Sequence, residues 1–227
     1  MAVKKYILRI TNRIIYINNN ITTLILAGGK GERIKNLFPN TPKPLIKFEN
    51  KTFLELLIIY LKSFQINNIF ISINEIDHEK FQFFKERAIA NLIIEKERLG
   101  TGGAVLNAFK ILNVDNLLVI NGDTFCDIDF KKFISFHNDK NSLLTIGIVE
   151  NFDKRQDGGN ITIDNYFKIL EFSEKKNDKK NKFINSGIYL INREFFNIIK
   201  NKFSLESYIE NNIKNNVFGY SFTGNIY

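Results

Sequence analysis

Short apolar runs alternate with amphipathic segments along this chain, and that alternation limits the fold more than any other feature. The apolar runs cover 22–27, 69–73, 92–95, 117–120 and 143–149, and the amphipathic segments cover 53–64, 78–90, 103–112 and 130–137. Strands alternating with helices predict an α/β fold with a largely parallel sheet. Ligands of such sheets bind beyond the carboxyl ends of the strands. We therefore expect a site where the runs 22–27 and 117–120 end.

The pattern of the chain changes after residue 150. The expected elements there are a hairpin around Asn165, a strand at 183–191 and helices at 194–200 and 205–214. A chain of 227 residues with 44% hydrophobic content suits one sizeable core. We expect residues 1–20 to be an N-terminal extension and residues 21–227 to form one domain.

The charge and the cysteine content narrow the classes of function. A net charge of +8 suits anionic partners such as nucleotides and phosphosugars. The sequence has no basic stripe interleaved with aromatic residues, so nucleic-acid binding is not expected. No apolar stretch reaches the length of a membrane span. The one cysteine, Cys126, fits a reducing cytoplasm. His78 and His137 lie in helical patterns and are expected at the surface or its boundary.

The loop LAGGKGERI at 26–34, directly after the first apolar run, is the strongest local signal. Gly28, Gly29 and Gly31 let backbone N–H groups approach a phosphate chain where a Cβ would clash. Arg33 adds positive charge for the same oxyanions. The glycine spacing matches neither a P-loop nor a Rossmann fingerprint, and a tight turn without a ligand is the alternative.

Two further segments each present one charged side chain. In TPKPL at 41–45, prolines on both sides of Lys43 hold the backbone extended and would present its ammonium group at a fixed point. A rigid surface turn is the alternative. NGDTF at 121–125 places Asp123 just after a buried strand, a typical position for a Mg²⁺ ligand that bridges substrate phosphates. An Asp after Gly is also an ordinary turn residue.

A second glycine-rich turn, LGTGGAV at 99–105, opens a predicted helix. Its backbone edge would pack against a flat base, or its helix N-terminus would bind phosphate. A helix cap made by Thr101 is the alternative.

Together, and in this order and spacing, these segments resemble the sugar-nucleotide pyrophosphorylase (nucleotidyltransferase) family. FSEK at 172–175 and NSGIYL at 185–190 fit the same pattern, and the resemblance runs from Ile21 to the C-terminus. It implies a Rossmann-like α/β/α sandwich with a mixed, mostly parallel central sheet, and Mg²⁺ as cofactor. It implies transfer of a nucleotidyl group from a nucleoside triphosphate to a sugar 1-phosphate, with release of pyrophosphate. LGTGGA, NGDTF and SLE at 204–206 are similar to segments of bacterial heptose-1-phosphate guanylyltransferases of lipopolysaccharide or capsule synthesis.

The resemblance also implies a role for each matching residue. Arg33 and Lys43 would neutralise charge at the reacting phosphates, and Asp123 would bind Mg²⁺. The implied nucleotide-binding residues are Ala27, Gly28, Gly29, Gly31, Glu95, Gly100 and Thr101. The implied sugar-phosphate-binding residues are Gly159, Glu174, Lys175 and Asn185.

Glu95 bears on the choice of base. It lies five residues before Gly100, where many relatives carry a Gln that reads a pyrimidine base. A carboxylate only accepts hydrogen bonds, and guanine offers two adjacent donors on its Watson–Crick edge. Glu95 therefore favours GTP. UTP, dTTP or CTP with a hexose 1-phosphate stay as alternatives, as does a charged strand end without a ligand.

Departures from the family pattern leave a reading from a different class open. Glu32 stands where relatives usually have a small hydroxyl residue. The second metal-binding Asp of relatives follows a stretch like 220–227, where this sequence ends, so a truncated chain or an incomplete metal site is expected. A catalytically inactive regulatory subunit of the same fold is the alternative. The sugar and the oligomeric state, a homo-oligomer included, are left open.

Overall fold

Strands and helices alternate through the part of the chain that the computed structural model describes, residues 21–29, 31, 36–150, 159–173, 183–197 and 202–223. The strands are β1 (Thr23–Leu26), β2 (Lys47–Phe48), β3 (Lys51–Thr52), β4 (Ile69–Asn74), β5 (Asn91–Glu95), β6 (Asn116–Asn121), β7 (Leu144–Glu150), β8 (Asn160–Ile163), β9 (Ile169–Ser173), β10 (Phe183–Asn192) and β11 (Val217–Ser221). The helices are α1 (Phe53–Ser63), α2 (His78–Glu86), α3 (Gly100–Leu112), α4 (Phe130–Asp139) and α5 (Leu205–Asn212). The predicted N-terminal extension, residues 1–20, lies outside the described residues.

One mixed sheet organises the molecule. Its strand order is β11-β7-β10-β6-β1-β4-β5, with the hairpin of β8 and β9 attached to β10. β1 runs parallel to β4 and β6, β4 runs parallel to β5, and β11 runs parallel to β7. β10 runs antiparallel to both β6 and β7. The central sheet is thus mixed and mostly parallel, as the sequence predicts.

Helices cover both faces of this sheet. Successive side chains of a strand point to opposite faces. On one face, Ile25 and Ile120 pack with residues of α1, α2 and α4, and on the other, Leu24 and Val119 pack with residues of α3 and α5. This arrangement is the predicted α/β/α sandwich. No helix in the described ranges combines the length and the apolar character needed to cross a membrane.

Helix α1 begins at a reciprocal cap that also fixes the chain entering it. The Thr52 hydroxyl accepts a hydrogen bond from the Glu55 backbone N–H (3.2 Å), and the Glu55 carboxylate accepts one from the Thr52 backbone N–H (2.8 Å). Leu54 and Leu61 then turn into the core. The cap holds the start of α1 close behind the segment that carries Lys43.

The helix predicted at 194–200 is wrong over the residues that the structure describes. Arg193–Phe195 forms only a single 3-10 turn, and 196–197 are not helical. Phe195 and Phe196 both pack on Tyr208 of α5, with ring centroids 5.4 Å and 5.3 Å away. Adjacent residues of a helix do not face one partner, so this packing ends the helical conformation.

Strand β11 was not foreseen from the sequence. It pairs in parallel with β7 along its whole length. Gly219 at its centre weakens a strand prediction. A Cβ on Gly219 would lie 2.7 Å from the Ile148 side chain, so close packing against β7 requires glycine there.

Four parallel strands, β1, β4, β5 and β6, end at the same edge of the sheet. Their register places Leu26 beside Ser72 on one side and beside Asn121 on the other. Asn74, the last residue of β4, pairs with Glu95, the last residue of β5. The candidate site predicted at the strand ends is therefore gathered along one edge.

Candidate active site

A cleft of about 750 Å³ opens at the edge where the parallel strands end. This volume is in the range of pockets that hold small ligands and cofactors. The predicted residues that line it are Ala27, Gly28, Gly29, Gly31, Lys43, Glu95, Gly100, Thr101 and Asp123. The structure thus brings the glycine loop, the lysine segment, the second glycine turn and the Asp segment into one cleft.

The glycine loop leaves β1 with space around its backbone. No atom of the described chain lies within 4 Å of a Cβ built on Gly29, and a Cβ on Gly28 would make only an ordinary contact, 3.6 Å from the Asn74 nitrogen. Gly31 has a φ of 59°, a left-handed conformation that favours glycine. Packing among the described residues does not require glycine at 28 and 29. A ligand that approaches this backbone closely would require it. Arg33 lies outside the described residues, so its role stays a prediction.

Lys43 and Asp123 meet across the cleft although 80 residues separate them. The Lys43 Nζ lies 2.8 Å from the Asp123 Oδ2, and the two side chains are 43% and 41% exposed. The extended backbone expected at Lys43 is wrong, because Lys43–Leu45 forms a 3-10 turn whose Leu45 N–H donates to the Pro42 carbonyl (2.8 Å). An ion pair this exposed contributes only about 0–1 kcal/mol to stability. A phosphate can therefore replace Asp123 beside Lys43, and a cation can replace Lys43 beside Asp123, at little cost.

The position of Asp123 depends on the glycine before it. The Gly122 N–H donates to the Leu26 carbonyl (2.9 Å), and a Cβ on Gly122 would lie only 2.8 Å from that oxygen. Glycine therefore lets the end of β6 approach the end of β1. This contact sets Asp123 next to the glycine loop.

Glu95 is buried in the cleft wall with both carboxylate oxygens engaged. Its Oε1 accepts a hydrogen bond from the Ser72 hydroxyl (2.5 Å), and its Oε2 accepts one from the Leu99 backbone N–H (3.3 Å). Glu95 is 6% exposed and Ser72 is 1% exposed. Two fixed donors thus orient the carboxylate before any ligand arrives.

The second glycine turn is packed against the residues that precede α5. The N–H groups of Gly102 and Gly103 donate to the Phe203 carbonyl (3.1 Å and 3.3 Å). Gly100 has a φ of 75°, and a Cβ there would lie 2.5 Å from the same oxygen. The N–H groups of Gly102 and Gly103 are therefore already bonded, which disfavours phosphate at this helix N-terminus. The packing of this backbone edge against a base stays open.

Thr101 lines the cleft, and its hydroxyl group is already engaged. It donates to the Glu206 Oε2 (2.8 Å) and accepts from the Leu205 backbone N–H (2.8 Å). Thr101 does cap a helix, as one sequence interpretation held, but the helix is α5 and not its own.

Several polar residues of the cleft were not predicted from the sequence. They are Ser72, Arg98, Asn121 and Lys202. Ser72 is a polar residue inside the apolar run of β4, and Asn121 opens the NGDTF segment. Each therefore had a weak sequence signal. Arg98 and Lys202 are exposed cations, and nothing in the sequence distinguishes them from other surface cations.

Asn185 and Gly159 do not line the cleft, but they adjoin each other. The Asn185 backbone N–H donates to the Gly159 carbonyl (2.9 Å). β10 shifts register between Asn185 and Tyr189, and within this bulge the Asn185 Oδ1 accepts from the Gly187 N–H (2.9 Å). Gly187 has a φ of 74°, a left-handed conformation that favours glycine at this turn in the strand. The other two predicted sugar-side residues, Glu174 and Lys175, lie outside the described residues.

Comparison with known proteins identifies the family. The nucleotidyl transferase family model matches residues 22–220. The chain belongs to the nucleotidyl transferase family. A D-glycero-alpha-D-manno-heptose 1-phosphate guanylyltransferase of Campylobacter jejuni is 34% identical over 196 residues, which cover 84% of this chain and 86% of that protein. An enzyme of the same name from Aneurinibacillus thermoaerophilus is 32% identical over 189 residues, which cover 81% and 80%.

Solved structures of nucleotidyl transferases share the fold. HddC from Yersinia pseudotuberculosis, solved in complex with GMP-PN, superposes with a TM-score of 0.77 at 32% identity, over 91% of this chain and 92% of that chain. A putative glucose-1-phosphate thymidylyltransferase from Bacillus anthracis superposes equally well at 20% identity and shows the fold alone. The predicted family, fold and reaction class, sugar-1-phosphate nucleotidyl transfer, are confirmed.

Proposed function

We propose that this nucleotidyl transferase is a cytoplasmic guanylyltransferase. It would convert GTP and a heptose 1-phosphate into GDP-heptose and pyrophosphate, for synthesis of lipopolysaccharide or capsule. The observation that carries the choice of base is the buried, oriented carboxylate of Glu95 in the cleft. The guanylyltransferase names of the two relatives support the same nucleotide and suggest the sugar.

Glu95 suits guanine because it retains acceptor capacity in a fixed orientation. A carboxylate has about four lone-pair sites, and the hydrogen bonds from Ser72 and Leu99 use one on each oxygen. Guanine would donate its N1–H and its amino group to the sites that remain. Uracil and thymine offer one donor beside acceptors, and an acceptor facing a carboxylate is unfavourable.

The triphosphate would lie along the glycine loop. Gly28 and Gly29 leave room for a phosphate chain close to the backbone, and Lys43 brings a cation to the same cleft. We propose Arg33 as a second cation for these oxygens. Asp123 fits Mg²⁺, since one or two carboxylates with substrate phosphates are enough to hold it; when bound, Mg²⁺ would neutralise charge on the phosphoryl oxygens.

The reaction is a direct displacement. An oxygen of the sugar 1-phosphate attacks the α-phosphorus of GTP, the bond from that phosphorus to the bridging oxygen breaks, and pyrophosphate leaves. The residues hold two mutually repelling anions in line and offset their charge. Lys43 serves this role once the phosphates replace Asp123 as its partner. We propose that Gly159, Glu174, Lys175 and Asn185 bind the sugar phosphate.

The experiment is a pyrophosphate-release screen with Mg²⁺, using GTP, UTP, dTTP and CTP against heptose and hexose 1-phosphates. With a heptose 1-phosphate, we expect the turnover rate with GTP to exceed the rate with each other triphosphate by at least about tenfold. The reason is that mispaired buried donors and acceptors cost more than about 1 kcal/mol each. Glu95→Gln should narrow this preference. Glu97→Gln, which changes an exposed glutamate two residues away, is the matched control and should keep it.

Two outcomes would count against the proposal. If no pair releases pyrophosphate, the assigned reaction is wrong for this chain. If all four triphosphates turn over equally, or Glu95→Gln behaves as Glu97→Gln does, Glu95 does not select the base.

A further inference from the structure

The carboxylate of Glu206 collects hydroxyl groups from three separate elements. Its Oε2 accepts hydrogen bonds from Thr101 at the start of α3 (2.8 Å) and from Ser204 before α5 (2.9 Å). Its Oε1 accepts one from Tyr189 of β10 (3.3 Å). Neither the predicted roles nor the cleft lining includes Glu206. It nevertheless joins the nucleotide side of the site to the strand that carries Asn185.

The direction of these hydrogen bonds follows from the carboxylate, which can only accept, so each hydroxyl donates its proton to Glu206. Each of the three hydroxyl oxygens in turn accepts a hydrogen bond from an N–H group. The N–H donors are the Leu205 backbone to Thr101 (2.8 Å), the Ser207 backbone to Ser204 (3.3 Å) and the Asn185 side chain to Tyr189 (2.6 Å).

This chain fixes which way the Asn185 amide points. Because Tyr189 donates to Glu206, it accepts from the Asn185 Nδ2, and the Asn185 Oδ1 accepts the Gly187 N–H (2.9 Å). In the reversed amide, the Asn185 NH₂ group would face the Gly187 N–H, donor against donor. The Asn185 oxygen would face the Tyr189 oxygen, acceptor against acceptor. The Gly187 N–H and, through the Tyr189 hydroxyl, the Glu206 carboxylate thus favour the same one of the two flip states of Asn185.

The same carboxylate supports the α3 wall, the side of the cleft formed by the start of α3 and the segment just before α5. Ser204 and Phe203 line the cleft just before α5. The Phe203 carbonyl bonds to the N–H groups of Gly102 and Gly103, and the Thr101–Glu206 contact closes this junction beside it. Glu206 therefore reaches the nucleotide side through α3 and the sugar side through β10.

We propose that Glu206 is a positioning residue that aligns both substrates of the transfer, orienting Asn185 for the sugar 1-phosphate through Tyr189 and the α3 wall for the nucleotide through Thr101 and Ser204. This inference rests on the proposed function. Glu206→Gln separates the contacts to Thr101 and Ser204 from the contact to Tyr189. Its amide oxygen can keep Thr101 and Ser204, but its NH₂ group then faces Tyr189, which loses the Glu206 oxygen as an acceptor.

The test is steady-state kinetics of Tyr189→Phe, Glu206→Gln and the double variant. We expect each single variant to raise KM for the sugar 1-phosphate about tenfold, as loss of one orienting hydrogen bond would. KM for GTP should change by less than about twofold. The double variant should be no worse than the poorer single variant, because both break one chain. Tyr166→Phe, which removes the hydroxyl of a tyrosine that is 74% exposed, is the control.

Nitrogen-15 NMR of the Asn185 side-chain amide gives a readout that does not depend on turnover. We expect its signals to shift in Tyr189→Phe and in Glu206→Gln, and to stay in place in Tyr166→Phe. An unchanged amide signal, or an equal rise in both KM values, would overturn the positioning role. Absence of turnover in the unmodified enzyme would instead count against the proposed function. If Glu206→Gln does not fold, Tyr189→Phe decides.

Discussion

Glu95 and His137 are buried polar side chains, and a hydroxyl group pairs with each. Ser72 donates to the Glu95 carboxylate, and the Thr145 hydroxyl lies 2.8 Å from the His137 Nδ1. Burying a polar group without such a partner costs several kcal/mol on transfer scales that lack hydrogen bonding. The pairings explain how both side chains stay inside, but the two have different consequences. Glu95 faces the cleft, whereas His137, on α4, packs against Thr145 of β7.

His137 should make the stability of the protein depend on pH. It is 3% exposed, and burial lowers its pKa from 6.5 to about 4. Between these values the unfolded chain binds a proton that the folded protein does not. The free energy of unfolding therefore falls on acidification, by up to about 1.4 kcal/mol per pH unit, and this contribution is constant above the ordinary pKa.

Urea unfolding at pH 7.5 and pH 5 measures this effect. His137→Asn keeps a side-chain nitrogen near Thr145 but does not titrate. We expect it to lose about 2 kcal/mol less stability than the unmodified protein over that interval. Equal losses for the two proteins would show that His137 does not carry the acid sensitivity.

The helical spacing of α4 indicates a buried position for His137. The buried residues of α4 are Phe130, Phe133, Ile134 and His137, and histidine completes the helical spacing. The expectation of a surface or boundary position was wrong. It assumed that a polar side chain would avoid the apolar face, whereas a hydrogen-bond partner lets His137 stay buried there. That partner, Thr145, comes from β7 and is fixed only by tertiary packing.

At the scale of elements, two glycine turns of similar sequence serve different purposes. A Cβ on Gly102 would overlap the Phe203 ring, whereas nothing in the described chain lies within 4 Å of a Cβ on Gly29. Gly102 is therefore explained by the packing of α3 against the segment before α5. No contact among the described residues explains Gly29, which fits the phosphate-binding role proposed for it.

Alanine at these two glycines should separate stability from nucleotide binding. Gly102→Ala should lower the free energy of unfolding by about 1–3 kcal/mol, as overpacking does. Gly29→Ala should leave stability within about 0.5 kcal/mol and raise KM for GTP, since its methyl group occupies the phosphate path. Denaturant unfolding and steady-state kinetics on both variants measure these changes. The reverse assignment, a stable Gly102→Ala and a destabilised Gly29→Ala, would contradict this interpretation.

The sequence predicted the alternation of elements because strand and helix periodicities are local. The sequence did not predict β11, because its Gly219 is required by packing against Ile148 on another strand. It also predicted a helix through Phe195 and Phe196, which instead pack on Tyr208. In both cases a contact between elements overrides the local pattern. The LGTGG turn shows the same limit, since its partner Phe203 lies about a hundred residues further along the chain.

At the scale of the whole molecule, the topology of the sheet assembles the site. The parallel strands β1, β4, β5 and β6 end together, so the segments that follow them share one cleft. Sequence order and spacing were enough to predict this meeting. They could not predict the Lys43–Asp123 contact or the convergence on Glu206, because those depend on distances between elements.

We propose that Lys43 and Asp123 act together on phosphates in this cleft. The decisive measurement is the rate of pyrophosphate release by Lys43→Met and Asp123→Asn with GTP, heptose 1-phosphate and Mg²⁺. Lys47→Met, which changes an exposed lysine on β2, is the control. We expect both site variants to lose at least about 100-fold in rate, as removal of a charge-stabilising group does, and the control to stay near the unmodified rate. Unmodified rates in both site variants would contradict the claim.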